Sequence, residues 1–303
     1  MSRLDHIPVM CETVVSLLAP RPGHTYLDCT LGRAGHALAM APHLAPGGRI
    51  IGLDLDPANI EYARQELADC PVQLELVHTN FAEARRVLDQ LQIDRVDLLL
   101  ADLGFASSQM DDPQRGMSFQ AEGPLDMRLD PGAETTAAEL VNHLSERELA
   151  DLIYQYGEER LSRRIARRIV EARQQDPIRT TEHLARIVRS ACRRPRAPKG
   201  GPPRIDPATR TFMALRIAVN AELENLDALL ADLPALLAPG GTAAFISFHS
   251  LEDRRVKQAL LELDKRGVGT RLTRKPILAD EKERQTNPRS RSARLRGFRM
   301  KAA

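Results

Sequence analysis

The chain has 303 residues, four widely separated cysteines and a formal net charge of +2. Its length suffices for one large domain or two smaller ones, so no disulfide or metal ion is needed to stabilise a core. The cysteines form no CxxC pair, and no apolar run approaches a membrane span, which excludes a zinc ribbon, a redox dithiol and a secreted disulfide scaffold. We expect a cytoplasmic protein without signal peptide, membrane anchor or metal.

The first hundred residues alternate between strand and helix patterns. Four apolar runs are predicted as strands: Tyr26–Thr30, Arg49–Asp56, Val72–Asn80 and Val96–Leu103. Helices are predicted between them, at Ala37–Leu44, Asn59–Ala68 and Ala82–Leu91. Strands this apolar, separated by helices of about ten residues, are typical of a parallel sheet covered on both faces. The pattern predicts a doubly wound, Rossmann-like α/β fold.

The alternation stops after the fourth strand. A polar stretch, Gly104–Asp130, leads into a helical region at Thr136–Cys192, which ends in a Pro- and Gly-rich link, Arg194–Pro207. A long helix near Phe212–Leu237 and a fifth buried strand, Thr242–Ser250, follow. The simplest topology places the fifth strand beside the fourth, so the segment between them is an insertion.

This topology implies two domains with different charge. We predict an α/β core of residues 1–105 and 208–303, interrupted by an inserted helical domain of residues 106–207. Residues 1–159 carry 11 basic and 26 acidic side chains, whereas residues 160–199 carry 13 and 3, and residues 254–303 carry 16 and 5. Two basic blocks on an acidic body favour a nucleic-acid-binding protein, although Arg-rich helix surfaces also occur without such a function.

The turn after the first strand, Asp28–His36, is a candidate cofactor site. Gly32 and Gly35 allow ligand atoms to approach the backbone and a helix N-terminus. The chain has neither GxGxxG nor GxxxxGK[ST], which counts against NAD, FAD and a nucleoside triphosphate. Asp54 lies 22 residues after Gly32, where a carboxylate can bind both hydroxyls of a ribose, and Asp56 is the alternative. A nucleoside cofactor without a triphosphate indicates S-adenosylmethionine.

The fourth strand ends in Asp102-Leu103-Gly104-Phe105. Amino-group methyltransferases have a polar residue, a tight turn and an aromatic residue at this point. Asp102 would accept a hydrogen bond from an exocyclic amine, and Phe105 would stack on the base. The structural alternative is a helix-capping Asp and a buried Phe.

Seven motifs, including the turn Asp28–His36, resemble one family, the bacterial 16S ribosomal RNA cytosine-N4 methyltransferases (RsmH/MraW). They lie, in chain order, at residues 6–10, 28–36, 115–119, 123–128, 156–160, 207–212 and 246–254. The resemblance implies a class I methyltransferase core with an inserted helical domain that recognises RNA. It also implies methyl transfer from S-adenosylmethionine to N4 of one cytidine in the decoding region of the small ribosomal subunit, with 16S rRNA or that subunit as the partner.

The resemblance also implies cofactor contacts by position, at Ala34, Gly35, His36, Asp54, Phe81, Asp102 and Gln109. Three departures from the family pattern stand out. Ala34 replaces the usual Gly, which we expect to be tolerated only if its φ is negative. The stretch Ala106–Ser108 replaces Ser-Ser-Pro before Gln109, and Met213 replaces a usual Gln.

Several polar residues have both functional and structural explanations. Asp102, or one of the neighbouring backbone carbonyls, would accept a hydrogen bond from the target amine. Ser250 and Asp253 lie near the same edge but also have the spacing of a helix capping box. Arg128, Arg210 and Arg216 are candidate RNA contacts or ordinary ion pairs.

Two rival functions share part of the pattern. A DNA amino-methyltransferase would have the Asp102 turn, but it should carry a dedicated sequence-reading domain, and the motifs between Arg115 and Arg160 argue against one. A non-catalytic RNA-binding or ribosome-assembly factor would be supported by Ala34 and Met213. We expect a monomer or a homodimer.

Overall fold

A computed structural model describes residues 7–104, 109–110, 112–192 and 206–302. The chain divides into two compact units, the first formed by Met1–Gly104 with Leu223–Ala303 and the second by Phe105–Glu222. The return to the first unit therefore lies later than the predicted residue 208.

The first unit is built on one sheet. Its strands are β1 Thr25–Asp28, β2 Arg49–Asp54, β3 Gln73–His78, β4 Val96–Asp102, β5 Leu237–Ser247, β6 Gly269–Arg271, β7 Ile277–Leu278 and β8 Arg294–Met300. The order is β3-β2-β1-β4-β5-β8-β6, and β7 also pairs with β8. The first five strands are mutually parallel, and β8 is antiparallel to β5. The predicted doubly wound sheet is confirmed, whereas the three C-terminal strands were not predicted.

Twelve helices lie within the described residues. They are α1 Cys11–Leu18, α2 Gly35–Leu44, α3 Pro57–Glu66, α4 Ala84–Gln90, α5 Ala137–His143, α6 Glu146–Gly157, α7 Ser162–Arg173, α8 Thr181–Ala191, α9 Ala208–Val219, α10 Glu222–Leu236, α11 Ser250–Lys265 and α12 Glu281–Thr286. Within the same residues, none of these helices is long and apolar enough to span a membrane.

Helices cover both faces of the sheet. Alternate residues of one strand enter different cores: Leu27 packs with α4, α10 and α11, whereas Tyr26 packs with α1, α2 and α3. Both residues are fully buried. A strand with two buried faces needs no polar alternation, and this explains the continuous apolar runs of the sequence.

The second unit is a helical bundle, α5 to α9, with its own apolar core. Ile165 and Ile169, one turn apart on α7, are fully buried in it. Helix α9 belongs to this bundle because it packs closely on α6. A Cβ added to Gly157 would lie 2.7 Å from the Arg210 carbonyl oxygen, so glycine permits the approach.

The single long helix predicted near Phe212–Leu237 is instead two helices, α9 and α10. Ala221, between them, has a left-handed φ of 47°. The Asn220 side chain holds the break, because its oxygen accepts from the Leu129 amide at 2.7 Å and its nitrogen donates to the Met127 carbonyl at 2.8 Å. A helix interruption held by distant backbone groups leaves little local signal.

Candidate active site

The carboxyl ends of β1, β2 and β4 meet at one edge of the sheet. Asp28 is in register with Gly52 of β2 and with Leu100 of β4. The loops that follow these three strands are therefore neighbours, and ligands of open α/β sheets bind at such an edge. The structure brings Gly32, Asp54 and Asp102 together there.

The loop after β1 is left-handed at two positions, Gly32 with φ 50° and Ala34 with φ 60°. The expectation that Ala34 requires a negative φ was wrong. A left-handed alanine costs about 1–2 kcal/mol. The surrounding contacts hold it there, because the Ala34 amide donates to the Leu31 carbonyl at 2.8 Å and its methyl group is fully buried. The loop thus keeps a glycine-like shape without the glycine.

Gly35 begins α2 and lies against the N-terminal turn of the chain. A Cβ added to Gly35 would be 3.1 Å from the Pro8 ring, so a side chain here would push that turn away. Gly35 therefore serves close packing beside the loop.

Asp54 is a half-buried hydrogen-bond acceptor at the end of β2. It accepts from the Gly32 amide at 2.7 Å, the Asp56 amide at 2.8 Å and the Asn59 side chain at 3.2 Å. Burial raises the pKa of its carboxyl, against the lowering effect of these donors. Asp56 instead caps α3 by accepting from the Ala58 amide at 3.0 Å. Of the two alternatives, Asp54 is the one that contacts the glycine loop.

Asp102, the last residue of β4, is fixed through its backbone and faces a histidine. Its amide donates to the Thr30 hydroxyl at 2.7 Å, and its carboxylate lies 3.4 Å from Nε2 of the buried His36. Gly104 follows with a φ of 119°, a conformation open to glycine, and a Cβ there would lie 3.5 Å from the Phe248 ring. The end of β4 therefore turns sharply beside the end of β5.

A buried acid beneath this edge escaped the sequence analysis. Asp28 accepts from the Tyr26 hydroxyl at 2.9 Å and from the Thr30 amide at 3.1 Å. Burial raises the pKa of its carboxyl to about 6, although the charge of His36 and these donors lower it. The available signal was an Asp that ends an otherwise apolar strand.

The acids around His36 raise the pKa of its imidazole. Burial lowers the pKa of its imidazole, but interaction with Asp102 and Cys11 and the negative charge of Asp28 outweigh burial and raise the pKa to about 10. A buried histidine with a raised pKa therefore lies beside Asp102 at this edge.

The remaining predicted cofactor residues are scattered. Phe81 begins a short 3-10 helix after β3, is half-buried, and packs against the apolar core. Gln109 is buried and belongs to the second unit. Phe105 and the variant stretch Ala106–Ser108 lie outside the described residues. Met213 is half-buried in α9 of the helical bundle.

The predicted capping box at the start of α11 is displaced by one residue. The N-cap is His249, not Ser250, and the Glu252 side chain accepts from the Phe248 amide at 2.8 Å and from the His249 amide at 3.3 Å. Asp253 pairs instead with Arg296, with the closer contact at 2.7 Å. Spacing identified the motif, but the exact cap depended on where β5 ends.

The candidate RNA arginines have internal partners. Arg128 binds both oxygens of Asp126, the closer at 2.7 Å, and also reaches the Pro131 and Ala133 carbonyls. Arg216 forms a two-point contact with Glu222 at 2.7 and 2.9 Å. Arg210, which is more exposed, lies 3.7 Å from Glu159. The ion-pair alternative accounts for Arg128 and Arg216.

The family model described as the MraW methylase family matches residues 3–301. The chain is 49% identical to ribosomal RNA small subunit methyltransferase H of Acidobacterium capsulatum, across 99% of this chain and 100% of that protein. It is 50% identical to the protein of the same name from Sorangium cellulosum, across 97% and 90%. It is also similar to the structure of Aeropyrum pernix fibrillarin in complex with natively bound S-adenosyl-L-methionine, with 10% identity, a TM-score of 0.40 and coverage of 92% and 67%.

The family match and the sheet order confirm the predicted methyltransferase fold with its helical insertion. The chain belongs to the MraW methylase family.

Proposed function

We propose that this protein transfers a methyl group from S-adenosylmethionine to the exocyclic N4 of a cytidine in small-subunit ribosomal RNA. The main support is membership of a methylase family, with relatives of nearly equal length named ribosomal RNA small subunit methyltransferase H. The Asp102 turn at the ligand-binding edge of the sheet supports an amino group as the acceptor.

The residues at this edge fit the cofactor. One carboxylate oxygen of Asp102 is buried and has no hydrogen-bond partner among the described residues, so a donor from a ligand is expected there. Asp54 would bind the ribose hydroxyls, and the cationic His36 would meet the methionine carboxylate. The backbone of Gly32, Ala34 and Gly35 would line the cofactor. Phe81, which follows β3 of the same sheet, would form the adenine wall.

S-adenosylmethionine supplies an activated methyl group on a sulfonium with an excellent leaving group. The protein therefore needs chiefly to orient N4 and remove water from it. The N4 lone pair is delocalised into the cytosine ring, and an acceptor that draws on an N4 hydrogen favours the nucleophilic form. We assign this to Asp102, whose backbone is held by Thr30, and we assign to the same carboxylate the proton that N4 loses after transfer.

The helical unit, residues 105–222, is proposed to bind RNA. Its arginine-rich segment carries 13 basic and 3 acidic side chains between residues 160 and 199. The left-handed Ala34 removes one reason for a non-catalytic factor, because the loop conformation survives the substitution.

The first test is calorimetric titration of the protein with S-adenosylmethionine, followed by mass mapping of N4-methylcytidine in undermethylated small subunits. Asp102→Ala should lower transfer by about 10²-fold or more, the typical effect of removing a transition-state hydrogen-bond partner. Asp69→Ala, at an exposed position, is the control. Absence of cofactor binding would refute the proposed function. Turnover by Asp102→Ala equal to that of the control would refute the proposed mechanism.

A further inference from the structure

The helical unit contains a groove that the proposed chemistry does not use. It lies between α7 and α8 and has a volume of about 770 Å³. Its charged lining consists of Arg168 and Glu171 from α7, Arg186 from α8, and Asp176 and Arg179 from the loop that joins the helices, with His183 of α8 beside them. Cationic side chains therefore face the groove from three consecutive segments of the chain.

The arginines of the groove differ in how strongly they are paired with carboxylates of the same unit. Arg186 is exposed and has no ion-pair or hydrogen-bond partner among the described residues. Arg179 is 3.9 Å from Asp176 in a pair whose side chains are 73% and 70% exposed. Arg168 is 2.9 Å from Glu171 and also exposed. Exposed pairs of this kind contribute only about 0–1 kcal/mol, so a stronger anion can replace the carboxylates.

The surroundings extend the positive field beyond the groove. Arg163 and Arg164, one turn before Arg168 on α7, are exposed and also without partners among the described residues. Arg167 lies 3.6 Å from Glu146 in a largely exposed pair. A concave surface with an excess of one charge concentrates counter-ions of the opposite sign.

We propose that this groove binds the phosphodiester backbone of small-subunit rRNA, with Arg168, Arg179 and Arg186 contacting phosphate oxygens. The proposal rests on the proposed function, which supplies the RNA. A guanidinium matches phosphate through two parallel hydrogen bonds, so three arginines around a groove suit a chain of phosphates.

The lining favours backbone contacts over base contacts. No Phe or Tyr lines the described groove, so the aromatic stacking that holds single-stranded bases is absent there. Backbone contacts position RNA without reading its sequence, and they release counterions. The groove is therefore an anchoring site, and base selection belongs to other residues.

The test is a charge reversal at two arginines that line the groove. Arg179→Glu and Arg186→Glu are compared with Arg147→Glu on α6, whose side chain is 92% exposed and 3.8 Å from Asp151. Fluorescence anisotropy with a protein-free RNA fragment of the small subunit gives the affinity at several salt concentrations. Calorimetry with S-adenosylmethionine measures cofactor binding by the same variants.

Each groove variant should bind RNA at least tenfold more weakly at low salt and should have a salt slope smaller by about 0.7–0.9 per lost phosphate contact. Arg147→Glu should change affinity less than twofold, and cofactor affinity should be unchanged in all three. Thermal melting checks that each variant folds. If a charge-reversal variant does not fold, the binding measurements are made on Arg186→Gln instead.

Two results would overturn the groove site while leaving the methyltransferase function intact. Groove variants could bind RNA with the same affinity and salt slope as Arg147→Glu. Alternatively, they could bind free RNA normally and be defective only on the assembled subunit, which would assign the groove to an acidic protein. Failure of the proposed function is distinguishable, because the unaltered protein would then neither bind S-adenosylmethionine nor methylate RNA.

Discussion

At the scale of single residues, a buried histidine with a raised pKa lies beside acids at the edge of the sheet. His36 lies 3.4 Å from Asp102, and Asp28 beneath it is bonded to Tyr26. Removing one member of such a cluster leaves an uncompensated buried charge, which is costly. The stability that this cluster contributes therefore depends on pH.

The pH dependence of stability provides a test of this raised pKa. The pKa of His36 is about 10 in the folded protein, against a reference value of 6.5. Between pH 6.5 and 8.5 the unfolded chain releases this proton while the folded protein keeps it, so stability falls as pH rises. The expected loss is about 2 kcal/mol over this window. Urea unfolding at the two pH values measures it.

The variants for this test are His36→Gln and His43→Gln. His36→Gln should remove most of the decline, whereas the exposed His43, on the same helix, should not affect it. An equal decline in both variants would mean that His36 is not held as a cation.

At the scale of elements, segments from both ends of the chain support the loop after β1. The N-terminal turn packs its Pro8 on Gly35. This turn is bonded to the C-terminal region, because the Met10 amide donates to Glu283 of α12 and Asn287 donates to the Ile7 carbonyl at 3.0 Å. Helix α12 therefore supports the loop after β1 through an intermediate segment.

Glu283→Ala should loosen this support. It leaves the amide of the buried Met10 without its acceptor, at a cost of about 1–3 kcal/mol in unfolding free energy. We also expect S-adenosylmethionine to bind several-fold more weakly, because the turn packs beside the loop. Denaturant unfolding and calorimetry measure the two effects, and Glu281→Ala, exposed on the same helix, is the control. A loss of stability with unchanged cofactor affinity would limit the turn to a structural role.

The elements that local pattern determines were predictable, and those that distant contacts determine were not. The strand ends at Asp54 and Asp102, and the loop that carries Gly32, could be predicted from apolar runs and turns along the chain. The break at Asn220 does not, since Met127 and Leu129 hold it from 91 or more residues away. The arginine-rich strand β8 was hidden for the same reason, because Arg296 can be buried only beside Asp253.

At the scale of the whole molecule, the net charge of +2 combines two basic blocks with different environments. In the C-terminal block, the side chains of Arg296 and Arg299 bond to Asp253 and Thr242, respectively. In the block of the helical unit, Arg163, Arg164 and Arg186 have no partner among the described residues. Arg296 and Arg299 of the C-terminal block thus stabilise the fold, whereas Arg163, Arg164 and Arg186 of the other block remain available to a polyanion.

This difference predicts opposite effects from two substitutions of the same type. Arg296→Gln removes a buried partner of Asp253, with Arg296 only 5% exposed, and should lower the unfolding free energy by about 3 kcal/mol. Its effect on the salt dependence of RNA binding should be negligible. Arg164→Gln should leave stability within about 0.5 kcal/mol. It should reduce the slope of log affinity against log salt by about 0.7–0.9, the effect of one phosphate contact. Urea unfolding and anisotropy titrations measure both quantities on each variant. If Arg296→Gln reduced the salt slope as much as Arg164→Gln, the C-terminal block would be part of the RNA surface, and the separation of roles would be wrong.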